Sequence, residues 1–142
     1  MLKLISQSEN DTFNIGKEIG SNLKNGDVVA FFGDLGAGKT ALTRGISSSF
    51  GITNVHSPTF TLVNEYYADT INIYHFDAYR IDSAGWIDSG FDEYLYAGGI
   101  CIIEWAENLA DILPPEAIKI TISTNLHKGE SYREITLEGE NY

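Results

Sequence analysis

The apolar and polar positions of this chain fall into two periods, and each change of period marks an element. Leu2 to Ile5 reads as a short strand. Ser8 with Asp11 three residues on resembles a helix cap, and Ile15, Ile19 and Leu23 recur at helical spacing, which predicts a helix that stops near Gly26. Asp27 to Phe32 is a nearly continuous apolar run, the signature of a strand buried on both faces of a parallel sheet. From Lys39 onward, Ala41, Leu42, Ile46 and Phe50 trace a second helical stripe that Gly51 is placed to end. Phe60 to Tyr67 and Ile71 to Asp77 flank the turn-like Ala68-Asp69-Thr70 and predict an antiparallel hairpin. A less regular stretch with short helical turns leads to Gly98-Gly99. After it, Ile100 to Ile103 is a buried strand ending in Glu104-Trp105. Leu113-Pro114-Pro115 breaks any helix before it, and the half-exposed strands Ala117 to Ile122 and Tyr132 to Leu137 pair through Asn125 to Gly129. The pattern is that of an α/β protein, a P-loop NTPase-like three-layer sandwich with a mixed, mostly parallel sheet and antiparallel hairpins.

Composition narrows the picture. With 142 residues, 43% of them hydrophobic, the chain holds material for one core, so residues 1–142 are expected to form a single domain. Twenty acidic against nine basic side chains give a net charge of −11, which repels polyanions and argues against unassisted binding to nucleic acid or an anionic membrane. The single cysteine, Cys101, lies inside the apolar run and is expected to be a small buried hydrophobe in a reducing compartment. Neither a secretion-signal core nor a run of membrane-spanning length is present, so the cytoplasm is the expected location.

The chemistry is concentrated at Gly33-Asp34-Leu35-Gly36-Ala37-Gly38-Lys39-Thr40, a full match to the phosphate-loop pattern placed between a buried strand and an amphipathic helix. Glycines at 33, 36 and 38 let successive backbone N–H groups point at phosphates, and the following helix presents its positive end. Lys39 is expected to neutralise β- and γ-phosphate oxygens. Thr40 offers a hydroxyl to Mg²⁺, a hard ion that retains several waters and needs few protein ligands.

Such a loop also needs carboxylates on neighbouring strand ends. Glu104 and Asp77 each close an apolar strand, so Glu104 is assigned to magnesium and Asp77 to positioning the attacking water; the two roles are interchangeable at this stage, and capping of a following turn is the competing reading for each. In Ser57-Pro58-Thr59-Phe60-Thr61, either Thr59 or Thr61 is a candidate contact for γ-phosphate or its metal, with a plain loop-to-strand transition as the competing reading. Arg80 and Arg133, two of three arginines, are candidates to stabilise charge on the transferring phosphate, or else surface ion-pair partners. Trp105 either packs against the nucleotide or a partner or simply packs after a core strand. His56, His75 and His127 lack metal-ligand spacing and are read as structural or surface groups.

Taken together, the phosphate loop, Ser57-Pro58-Thr59-Phe60-Thr61-Leu62-Val63, His75-Phe76-Asp77-Ala78-Tyr79-Arg80 and Ile103-Glu104-Trp105 resemble the bacterial TsaE (YjeE) family from about Glu9 to the last strand. The resemblance implies a role in making N6-threonylcarbamoyladenosine, the modified adenosine beside the tRNA anticodon. It also implies binding of ATP and Mg²⁺, weak intrinsic ATPase activity, and docking on the TsaD and TsaB proteins, with hydrolysis resetting that complex. By the same resemblance Leu35, Gly36, Ala37, Gly38, Lys39 and Thr40 match the family's phosphate loop, Thr40 and Glu104 its magnesium residues, and Asp77 its H-x-D-x-Y-R motif. Glu9 resembles an N-terminal position near the nucleotide base, and Arg133 a C-terminal arginine near the nucleotide. An acidic protein of this kind meets tRNA only indirectly, through a protein partner. The rival readings are a small P-loop kinase, which wants an arginine-rich lid, and a non-catalytic module in which ATP orders a docking surface. A GTP switch is disfavoured because the sequence has no Asn-Lys-x-Asp motif.

Overall fold

The computed structural model describes residues 1–33, 38–59, 61–139 and 142. Its described strands are β1 (Leu2–Ser6), β2 (Val28–Phe32), β3 (Val63–Tyr67), β4 (Asn72–Asp77), β5 (Ile100–Glu104), β6 (Ile118–Thr124) and β7 (Arg133–Glu138). They join one sheet in the order β1-β7-β6-β2-β5-β4-β3. The central β6, β2, β5 and β4 are mutually parallel, and antiparallel pairs close both sides, β3 on β4 at one edge and the β6–β7–β1 meander at the other.

Strand alternation divides the core between the two faces. Val29 and Phe31 of β2, Ile100 and Ile102 of β5 and Ile120 and Ile122 of β6 pack beneath helices α1 (Glu9–Ser21) and α2 (Lys39–Ser48), together with Ile19, Leu42 and Ile46. The alternate residues Val28, Ala30, Cys101 and Ile103 meet Trp86 of the short α3 (Ser83–Asp88) and Leu95 and Leu109 of two 3-10 turns. Each fully buried Ile or Leu contributes about 1.5–3 kcal/mol of transfer free energy, so the two faces together hold the central strands in place. Among the described residues, no helix is long and apolar enough to cross a membrane.

The helix starts follow their local chemistry. Ser8 caps α1 by accepting the Asp11 amide at 3.0 Å, and the Asp11 carboxylate accepts the Gln7 amide at 3.0 Å. Asp82 caps α3 in the same way, through the Gly85 amide at 2.8 Å. By contrast α2 begins at Gly38, whose φ of 105° only glycine adopts easily, and no side chain among the described residues caps it.

The two long helices touch backbone to backbone. A Cβ built on Gly45 would lie 2.0 Å from the Phe13 carbonyl oxygen, and one on Gly16 2.3 Å from that of Leu42. The contact sets the N-terminal end of α1 beside the start of α2, where a Cβ on Gly38 would come within 3.8 Å of Thr12 Cγ2.

Several strand bounds differ from the sequence expectation by one or two residues, and three element ends differ for reasons visible in the structure. The first hairpin strand starts at Val63 rather than Phe60, because the Thr61 and Leu62 amides both turn back to the Pro58 carbonyl, at 3.2 and 2.9 Å, and Leu62 sits at φ 68°. Phe60 itself is outside the described residues. Helix α2 closes at Ser48, with a turn through Ser49 to Gly51 completing the reversal, and α1 closes at Ser21 with Asn22 as its cap.

Cys101 lies 2% exposed on β5 with its thiol 3.2 Å from the Tyr94 carbonyl, and burial pushes its pKa up to about 12. Little thiolate is then present near neutral pH, so a disulfide reagent at pH 8 should label Cys101 only after denaturant is added. Labelling of the native protein as fast as the unfolded chain would contradict this packing.

Candidate functional site

The C-terminal ends of the parallel strands carry the site. β4 and β5 run in register, with Ile73 beside Ile100 and Asp77 beside Glu104. Because side chains alternate, Asp77 and Glu104 share the face of Ile73, Ile100 and Ile102, beneath α1 and α2. Both carboxylates are 7% exposed. Asp77 Oδ1 accepts the Tyr79 amide at 2.9 Å, and the Ala78 amide donates to the Glu104 carbonyl at 3.0 Å, which fixes the two strand ends to each other.

Immediately after Glu104 the chain turns sharply, with Trp105 in the left-handed region at φ 58°. This places the indole at the site, with its ring centroid 4.9 Å from that of Tyr79. The Lys39 ammonium lies 4.0 Å from the Trp105 ring centroid, a cation–π contact. At 6% exposure, Lys39 is a buried cation at the first turn of α2.

These groups open onto a cavity of about 640 Å³, within the usual range for small-molecule sites. Its described lining includes Glu9, Gly38, Lys39, Thr40, Thr59, Asp77, Glu104, Trp105 and Arg133, all assigned to the site from the sequence. Arg80 lines it as well. Leu35, Gly36 and Ala37 lie outside the described residues. Of the two candidate threonines, Thr59 reaches the cavity, its hydroxyl 2.7 Å from that of Ser57, whereas Thr61 donates to Asn64 Oδ1 at 2.7 Å. The third arginine, Arg44, pairs with Glu9 at 3.6 Å.

Electrostatics single the cavity out on a strongly acidic chain. Lys39, Arg80 and Arg133 are three of nine basic residues, and among the described lining they balance Glu9, Asp77 and Glu104. An anion repelled elsewhere meets matched charge here. The Arg133 guanidinium is oriented by its own strand entry, donating to the Glu130 and Tyr132 carbonyls at 2.7 and 2.8 Å.

Sequence reasoning missed several lining residues and one buried partner. Ser8, Thr12, Ser57, Tyr79 and Ser131 also face the cavity. His75 is fully buried, with Nε2 2.6 Å from Glu104 Oε2, whereas His56 and His127 are exposed. The signal for His75 was its position two residues before Asp77, which puts both on one face of the strand. No local pattern marks Ser131, which arrives from the β6–β7 connection.

Thr40 and Glu104 supply a hydroxyl and a carboxylate, hard oxygen donors of the kind magnesium takes. Among the described residues there is no group of three or more His, Cys, Asp or Glu that could hold a metal ion.

A parallel strand followed, across the Gly33 to Thr40 sequence motif, by a helix with no side-chain cap among the described residues, with carboxylates from β4 and β5 lining the cavity at that helix start, defines a P-loop NTPase-like α/β protein. The sequence model of the threonylcarbamoyl adenosine biosynthesis protein TsaE matches residues 6–135, and the chain belongs to the TsaE family. It is 40% identical to the Bacillus subtilis tRNA threonylcarbamoyladenosine biosynthesis protein TsaE over 95% of this chain and 84% of that one. The Treponema pallidum protein of the same name is 36% identical, over 96% of this chain and 99% of its own. A crystal structure of Bacillus subtilis YdiB superposes with a TM-score of 0.82 at 36% identity, covering 97% of this chain and 84% of that one.

Proposed function

We propose that, within the tRNA threonylcarbamoyladenosine biosynthesis its family serves, this chain is an ATP-binding, Mg²⁺-dependent ATPase of low intrinsic activity that acts on a TsaD–TsaB complex. The observation that carries the nucleotide part is the start of α2. Helices α1 and α3 have side-chain caps, but among the described residues α2 has none, it has no acidic residue in its first turn, and it opens onto the cavity with Lys39 and Thr40. Uncapped amides, the helix dipole and a buried ammonium together favour a polyphosphate.

In this reading Lys39 offsets charge on the β- and γ-phosphates, and Thr40 and Glu104 would hold a metal that would neutralise phosphate charge. Asp77, held by the Tyr79 amide, orients the attacking water. Arg80 and Arg133 face charge that develops on the phosphate, Trp105 packs against the nucleotide beside Lys39, and Glu9 bounds the nucleoside side. The protein's net charge of −11 keeps tRNA at a distance, so its influence on tRNA passes through protein partners and it acts in the cytoplasm, where tRNA is modified.

Phosphate release from ATP and Mg²⁺, measured alone and after adding TsaD and TsaB, tests this reading. Slow release that the partners stimulate is expected. Rapid transfer to a small acceptor without partners would instead identify a kinase. Complex function that survives both Asp77→Ala and Glu104→Ala would identify a docking module.

A further inference from the structure

We infer that His75 is a positioning residue: its imidazole holds one oxygen of Glu104, so that the other is presented to a divalent cation in the cavity. The inference rests on the assignment of Glu104 to the metal.

The arrangement follows from the sheet. His75 lies beside Ile102 in the β4–β5 ladder, and Glu104 lies two residues further along β5 on the same face, a diagonal pair within side-chain reach. The imidazole is 0% exposed, and its Nε2 lies 2.6 Å from Glu104 Oε2. In the pairing inferred here the ring N–H donates and Oε2 accepts, the direction open to a carboxylate that also binds a cation. Apolar Ile73, Ile100 and Ile102 share this face, and water cannot substitute for the lost donor in a fully buried position.

A glutamate side chain has three rotatable torsions and would otherwise sample several orientations at the strand end. Tying Oε2 inward removes that freedom and leaves Oε1 for the cavity that Glu104 lines. Hydrogen-bonded supports of metal-binding carboxylates contribute strongly to metal affinity, typically about 10–100-fold. A structural role alone would stabilise the fold without any preference for metal, and this difference is what the experiment reads.

ADP binding is measured by calorimetry on the full chain, with Mg²⁺ and with EDTA, for His75→Leu, His75→Gln and Glu104→Gln and for the His75→Leu/Glu104→Gln pair. His75→Leu should raise the Mg²⁺ concentration for half-maximal tightening about 10–100-fold while leaving affinity in EDTA unchanged. His75→Gln, whose amide can still donate, should recover most of the difference. In the Glu104→Gln background, His75→Leu should add nothing further.

If Glu104→Gln shifts the Mg²⁺ requirement and neither His75 variant does, the positioning role is wrong and the metal assignment stands. If no variant shifts it, both are wrong. Should His75→Leu fail to fold, His75→Gln and His75→Asn decide: equal Mg²⁺ requirements would overturn the inference, because asparagine is too short to reach the carboxylate.

Discussion

Lys39→Ala should lower ATP turnover by about 10²–10³-fold, the usual effect of removing one preorganised charge that faces a developing anion. The lysine's surroundings explain why the loss should be so large. At 6% exposure Lys39 is largely withdrawn from solvent, and its charge is screened less than at the surface. Its stem rises from the first turn of α2, so it and the helix amides face one ligand from one direction. The helix itself keeps its core contacts through Leu42 and Ile46, both 0% exposed, and should survive the substitution. Steady-state phosphate release in the presence of the partner complex, alongside a thermal melt, checks both halves. A folded variant that turns over within about threefold of the wild type would remove the phosphate loop from the mechanism.

The largest effect on stability is expected from Gly45→Ala. On an isolated helix this change is favourable by about 0.5–1 kcal/mol, because alanine has the higher helix propensity. Here the new methyl group would meet the Phe13 carbonyl at 2.0 Å and the Lys17 amide nitrogen at 2.8 Å, both backbone atoms that cannot rotate away. Relief requires α1 and α2 to separate, opening the layer of Ile19, Leu42 and Ile46. Overpacking of this kind costs about 1–3 kcal/mol, which outweighs the propensity gain. Urea denaturation should therefore show a lower midpoint with little change in slope. An unchanged or raised midpoint would mean that the helices pack more loosely than described.

The elements that could be read from sequence were those whose signal is local. β2 and β5 are buried on both faces, so their residues form apolar runs bounded by turns; Glu104 follows as the end of β5 and Asp77 as the end of the neighbouring β4. The Ser8 and Asp11 pair marked the start of α1 because capping is a property of a few adjacent residues.

What escaped was decided by other parts of the chain. Gly16, Gly20 and Gly45 look like weak helix formers when only propensity is considered, and become intelligible only once a second backbone lies against them. The turn at Leu62 defeats strand periodicity because a left-handed leucine has no compositional mark. His75 seemed unremarkable without the adjacent strand that carries Glu104. Ser131 reaches the cavity from the β6–β7 connection, whose register no short pattern fixes.

The two tryptophans stand in contrasting places. Trp86 is 1% exposed among the aromatic rings of Phe76 and Phe91, on the sheet face opposite α1 and α2, while Trp105 borders the cavity with a cation above its ring. Any ligand that draws the Lys39 ammonium away alters the field at one indole and leaves the other undisturbed. The chain thus contains a paired optical gauge, one emitter responsive and one constant, by which occupancy can be followed without attaching a dye.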